Sequence, residues 1–448
     1  MQGKLPGNLP GLLLLAVGVF FIFLSCATSP DAYAQIDSGV RTGAFENALV
    51  SIENEKGPAR KIVYVPKNEI LLYLDRGMIK HYAGLYEDSS RDLETAEQLI
   101  QDAFTKSISQ AMGSYILNDN VKDYSGEDYE DLYINVFNSL NYYFNNDLEG
   151  ALVEIRRLNE KLNFFADKYE RASKKVLEAN QQVDPAGLPM EASKFSNSAL
   201  ARYLGVLFYR GTGRADSARI DFEELQRAYD LAPEVYANQI PSSVEEELSV
   251  PEGKARFNVI AFTGLSPVKE QINIPIPLPF PFPNNMARLA LPKMVGRVQS
   301  VQWAEAVLDS GEKIRLELLE DMGEVARETF KSRYGLVVLK TTARAITKAA
   351  ASASLARVAS SREKNENTGL GSLVGLLGRV FTEVSEQADT RLSRYFPCYA
   401  LVGGINLDPG VYNVTVNFYG NTGLVKSQRE EIVIRENTLN LKEFVCLN

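Results

Sequence analysis

The chain carries one histidine, three cysteines and one tryptophan in 448 residues. That scarcity removes several chemistries at the outset. Ser-His-Asp and Cys-His arrangements have a single base to draw on, and His81 sits mid-helix, where packing is the expected role. Zinc sites built from Cys and His lack ligands, so no metal or cofactor is expected. No Walker-type loop occurs, and Gly211-Thr212-Gly213-Arg214 is short enough to read only as an interhelix loop. Basic residues are outnumbered 48 to 57, a net charge of -9, which argues against binding a nucleic-acid backbone. Among the acidic residues nothing singles out a catalytic carboxylate pair, and the expectation is a protein that is not an enzyme. What is present, 45% hydrophobic and 23% charged residues, is an ordinary globular mixture with room for two or three domains.

The longest uncharged apolar run, Gly11 to Leu24, is 14 residues, short of a roughly 30 Å hydrocarbon core. Lys4 precedes it, and Phe23-Leu24-Ser25-Cys26 ends it. The arrangement resembles a lipobox, in which a small residue stands before the cysteine whose thiol receives diacylglycerol. Residues 1–25 are then expected to be a lipoprotein signal peptide with Cys26 as the lipidation site, the alternative being an uncleaved anchor helix. Residues 26–42 are expected to be a polar tether, whose dozen or so linking residues span at most roughly 40 Å.

From 43 to about 250 the apolar spacing is helical. Gly77, Gly84, Tyr86, Ser89, Leu93 and Ala96 follow a small–aromatic–small register within Tyr73–Ala103. Ser139, Tyr142, Leu148, Ala151, Ile155 and Leu158 repeat it, and Tyr203-Leu204-Gly205 through Ala228 to Pro233 does so more loosely. The series resembles tetratricopeptide repeats, which present a concave groove to a partner, the alternative being a plain irregular helix bundle. Asn180–Lys194 reads as a loop within the array, and Glu245-Glu246-Glu247 as a solvated helix face at its end.

Residues 255–448 read as a mixed α+β domain, so the fold class is α+β: a tetratricopeptide-like helical solenoid followed by strands and helices. Strands are expected within 256–302, a helical insertion over about 315–390, and a small β module over 398–448. Pro stands at every second position from Pro275 to Pro283, a spacing compatible only with an extended edge; Ile274, Ile276, Leu278, Phe280 and Phe282 then face one way. A helix is expected over Leu370–Gln387, with Gly371, Gly375 and Gly378 at small-xxx-small spacing. Packing within the domain, contact with a second copy and membrane contact all fit that stripe. The module's four strands, Cys398–Asn406, Val411–Phe418, Glu431–Arg435 and Leu439–Leu447, are too few to bury a core alone and are expected to pair with the earlier ones. With Cys26 committed to lipid, an exported chain leaves Cys398 and Cys446 to form a disulfide, the alternative being two buried free thiols.

Three phrases tie the second half together: Gly264-Leu265-Ser266-Pro267-Val268-Lys269-Glu270, Leu289-Ala290-Leu291-Pro292, and Gln387-Ala388-Asp389-Thr390-Arg391 ahead of Leu407-Asp408-Pro409-Gly410-Val411-Tyr412. In that order they resemble a largely uncharacterised family of bacterial envelope lipoproteins with helical-repeat N-termini, over most of residues 70–420. The resemblance implies a cell-wall or outer-membrane role, association with a small lipoprotein that activates peptidoglycan synthases, and a location on the outer membrane facing the periplasm. Asp389 and Arg391 read as a structural ion pair. The expected function is a non-catalytic scaffold that binds an envelope protein; the alternative is binding or processing of peptidoglycan or another glycan.

Overall fold

The computed structural model describes residues 30–109, 122–179, 191, 193–277, 286–363 and 387–448. Helix makes up 51% and strand 25%, so the α+β composition holds, with a helical region first and a nearly closed seven-stranded sheet after it. Cys26 and the glycines Gly371, Gly375 and Gly378 lie outside the described residues, as do Leu278, Phe280 and Phe282 and the expected helix over 370–386.

Residues 30–42, expected to belong to a tether, are helical. Helix α1 spans Pro30–Thr42 and buries Ala32, Tyr33, Ile36 and Val40. These four sit at spacings of one, three and four, one stripe of a helix, and that stripe packs into the core rather than remaining a linker. Helix α2, Phe45–Glu53, follows it.

Six helices then form three antiparallel hairpins: α3 (Glu69–Tyr82) with α4 (Tyr86–Ser109), α5 (Asp128–Phe144) with α6 (Leu148–Ala179), and α7 (Ala199–Gly211) with α8 (Ala215–Leu231). The three turns share one construction. Gly84, Asn146 and Gly213 have φ of 74°, 63° and 72°, and the next residue's N–H returns to a carbonyl five back: Leu85 to Lys80, Asp147 to Tyr142, Arg214 to Tyr209. A left-handed residue at that point ends the first helix and turns the chain back on itself. Five residues beyond each stands a small buried residue, Ser89, Ala151 or Ala218, where the second helix crosses the first. Ala151 is completely buried. Ala151→Leu is therefore expected to lower stability by roughly 1–3 kcal/mol through overpacking, read as a fall in the urea midpoint; an unchanged midpoint would place Ala151 on the surface.

A short helix α9, Ser242–Glu245, leads into the sheet. Its strands are β1 (Ala255–Leu265), β4 (Trp303–Leu308), β5 (Lys313–Asp321), β6 (Pro397–Leu407), β7 (Gly410–Gly420), β8 (Gly423–Ile434) and β9 (Asn440–Cys446). They run in the order β8-β7-β4-β5-β6-β1-β9, all antiparallel except β9 against β1. The C-terminal module thus does pair with the earlier strands. Side chains bring the two edges together: Lys426 Nζ on β8 donates to the Val445 carbonyl on β9 at 3.0 Å, and Lys442 pairs with Glu430 at 3.1 Å. One face encloses Phe257, Val259, Ala306, Leu316, Val416 and Phe418. Part of the other, through Ile260, Phe262, Val402 and Leu441, joins a core continuous with the helices from α1 onward. The helical insertion begins later than expected, since residues 313–321 form β5; helix α10 spans Met322–Glu363.

Strands β2 (Val268–Pro277) and β3 (Met286–Val295) make a separate hairpin. Pro275, Pro277 and Pro292 all fall in one alternate class of its pairs, opposite Arg288, Met286 and Gln271. In an antiparallel ladder only the other class exchanges N–H bonds, so each proline is spared a donor it lacks. The missing donors lie on the outer edges, which blunts them against further pairing. Ile272, Leu289 and Leu291 pack on Val338 and Ala345 of α10.

The disulfide expectation does not hold: Cys398 and Cys446 are buried free thiols. They sit on β6 and β9, which flank β1 on opposite sides. Two inter-strand spacings, about 9.5 Å, separate such positions, beyond the reach of a disulfide at about 7 Å.

Candidate functional site

The phrases Gly264–Glu270 and Gln387–Arg391 converge in space. Segment 387–396 has no helix or strand and runs across α3 and α5 before entering β6. Ala388 N–H donates to Gln271 Oε1 at 2.9 Å, and Lys269 Nζ to the Arg391 carbonyl at 3.2 Å.

Two carboxyls without a cation directly on them hold the segment down. Asp75 on α3 accepts Ser393 Oγ at 2.6 Å, Arg394 N–H at 2.8 Å and Tyr64 Oη at 2.8 Å. Glu130 on α5 accepts Ser393 N–H at 2.6 Å, and Tyr124 Oη and Glu127 N–H at 2.7 Å each. The last of these belongs to a capping box that starts α5. Burial pushes Asp75 up to about 6 and, with Glu127 beside it, Glu130 up to about 7; the donated hydrogen bonds hold both lower than burial alone would.

Charged pairs surround this latch. Glu127 takes Lys269, and Arg333 at 3.3 Å. Arg391 pairs with Asp389 at 2.8 Å, donates to Asn68 Oδ1 at 2.9 Å and lies over the Tyr124 ring. The expected Asp389–Arg391 ion pair is therefore present, and although burial opposes its charge, the Arg391 guanidinium holds the Asp389 carboxyl below the usual range. Arg394 pairs with Asp37 of α1 at 2.7 Å and stacks 4.2 Å over Tyr33. Arg297 donates Nη2 to the Arg394 carbonyl at 2.5 Å, while its Nε and Nη1 are buried with no hydrogen-bond partner. Burial, with the Arg394 charge, pushes Arg297 down to about 10, which leaves it charged at neutral pH.

Between α1 and the segment lies a cleft of about 80 Å³, lined by Tyr33, Asn68, Lys269, Thr390, Arg391 and Arg394 among others.

His81 is elsewhere and committed to structure. Its Nδ1 meets Asn141 Oδ1 at 2.6 Å and its Nε2 meets Glu443 of β9 at 3.0 Å, clasping α3 to the sheet. Another buried carboxylate, Glu320 of β5, accepts Tyr236 Oη at 2.6 Å, Tyr133 Oη at 2.8 Å and Ser198 Oγ at 3.0 Å at the N-terminus of α7. Both contacts join helices to sheet. Among the described residues no group of three or more His, Cys, Asp or Glu side chains is placed to hold a metal ion, and no helix is long and apolar enough to cross a membrane.

Sequence reasoning found Asp389 and Arg391 but missed Asp75, Glu130, Arg297 and Arg394. An isolated acid within an apolar helical stripe, as Asp75 is in Ile70–Ile79, was the signal available. No protein-family model, curated protein or solved structure matches the chain.

Proposed function

We propose that the chain is a non-catalytic, lipid-anchored protein of the bacterial envelope that holds a protein partner close to the membrane. One observation carries the reading: its buried charged and polar groups join remote parts of the chain to one another. Asp75 and Glu130 bind segment 387–396, Glu320 binds α7, and Glu443 binds His81.

The helical hairpins are tetratricopeptide-like in this reading, but their first helices already have an occupant. Phe137 of α5 meets Phe262 and Phe396, Tyr203 of α7 meets Asn258, and Tyr82 of α3 donates to the Tyr395 carbonyl. The chain's own sheet, with the segment that leads into β6, fills the side on which such repeats commonly take a peptide. Partner binding then falls to other surfaces, foremost the assembly of α6, α10 and the β2–β3 hairpin. There Tyr169 and Val176 pack on Leu336, Leu339 and Ile346, while β3 covers another side of α10.

Only Ala27, Thr28 and Ser29 separate Cys26 from α1, a reach of about 14 Å at most. A lipid on Cys26 would therefore hold the folded body directly against the bilayer. Wild-type cells fed an alkyne palmitate analogue should label the chain, and Cys26→Ala should abolish the label and leave an uncleaved precursor. Photo-crosslinkers on the exposed faces of α6 and β2 should capture a discrete envelope protein. An unlabelled wild type would sink the anchor; crosslinks only to glycan would replace the protein partner with the wall.

A further inference from the structure

The cleft beside segment 387–396 is cationic in a chain whose net charge is -9. Lys269, Arg391 and Arg394 line it, and Asn68 and Thr390 add neutral hydrogen-bonding groups. The lining cations pair with Glu127, Asp389 and Asp37 respectively. Arg297, bonded to the Arg394 carbonyl, is a fourth cation, and two of its buried nitrogens have no partner. Arg333 is a fifth and shares Glu127 with Lys269. Among the described residues Arg297 has no carboxylate within ion-pair distance, and burying an uncompensated charge is costly unless something of opposite sign is near. The space of about 80 Å³ suits a small polyatomic anion. Thr390 and Arg394 are half-exposed, which leaves a way in from solvent.

We propose that this cleft binds an oxyanion, a phosphate or phosphate ester, with Lys269, Arg391 and Arg394 as charged donors and Arg297 supplying the excess positive charge behind them. Guanidinium groups suit this ligand because their planar donors match its oxygens. The source is either free phosphate or the headgroup of an anionic phospholipid. Tyr33, on the first turn of α1, stands seven residues after Cys26, so the headgroup source rests on the lipid-anchored reading and the free-phosphate source does not.

Phosphorus NMR of the full chain in a maltoside detergent tests both. The probes are inorganic phosphate and dihexanoyl phosphatidylglycerol, with dihexanoyl phosphatidylcholine as the zwitterionic control, all at matched ionic strength. Saturable binding of phosphate or of the glycerol lipid, without binding of the choline lipid, is the expected result. Tighter binding of the glycerol lipid assigns the headgroup; equal or weaker binding assigns the free anion. Thr390→Trp, which fills the cleft and leaves every charge in place, should abolish binding. Arg297→Gln should weaken it about tenfold, the equivalent of one charge-assisted hydrogen bond. No saturable binding of either anion, or binding unchanged in both variants, overturns the site. Should Thr390→Trp fail to fold, Arg297→Gln decides alone. A chain that binds phosphate but takes no palmitate label would keep the site and lose the anchor.

Discussion

The unfolding free energy of this protein is expected to fall by roughly 3–6 kcal/mol between pH 5 and pH 8, the combined linkage of two buried carboxyls. Asp75 and Glu130 are raised to about 6 and about 7 by burial. Above the unfolded values near 4, the native chain still holds two protons that the unfolded chain has released. Stability therefore declines as pH rises through the folded values. Glu320 is raised by burial as well and pulls the same way. So does His81: burial opposes its charge, but the Glu443 carboxylate and the Asn141 contact raise it on balance. Its contribution is complete below about pH 6.5 and is lost as pH rises through the folded value. Carboxyls held low, such as Asp389 and Glu97, act in the opposite sense, but their contribution is lost only on acidification below about pH 4. Urea unfolding at pH 5, 6.5 and 8 measures the slope; a stability that is flat or rising across that window would mean that Asp75 and Glu130 are ionised without penalty in the native state.

Glu247→Ala is expected to cost about 3–5 kcal/mol, as removal of one partner from a buried ion pair does. Glu247 is completely buried, and its carboxylate takes Arg256 Nε at 3.1 Å, Asn258 Nδ2 at 2.7 Å and the Arg210 guanidinium. Arg256 is itself buried, so the alanine leaves a guanidinium out of water and short of a counter-charge. Its neighbour supplies the control. Glu246 also pairs with Arg256, at 2.6 Å, but is 58% exposed, and Glu246→Ala should cost less than about 1 kcal/mol. Equal effects from the two would show that Arg256 keeps its charge balanced without Glu247.

That pair also shows where a linear reading stops. Glu245-Glu246-Glu247 reads as a solvated face, and for Glu245 and Glu246 it is one; Glu247 is buried because α7 and β1 each turn an arginine toward it. The β4–β5 hairpin was legible in principle. Trp303–Leu308 alternates half-buried with buried residues, and a Ser-Gly turn follows it, yet the helical spacing beyond Arg315 obscured it. The helical character of the stretches around Gly77, Ala151 and Gly205 was legible because apolar spacing and the small residues at helix crossings are local requirements.

By itself, then, the sequence determined the parts governed by neighbours along the chain. It set the helical register, the turns at Gly84, Asn146 and Gly213, the proline-guarded edge of β2, and the Asp389–Arg391 pair two residues apart. Tertiary structure decided everything that depends on residues hundreds of positions distant. It placed β1 between Cys398 and Cys446, folded residues 30–42 into the core through Asp37 and Arg394, and covered the first helices of the hairpins with the sheet. It also gathered Asp75, Glu130, Lys269, Arg297 and Arg391 at one junction. The physical reason is that burial and charge compensation depend on distance through space. A carboxyl's partner, and hence whether it is protonated, is undefined until the chain has closed around it.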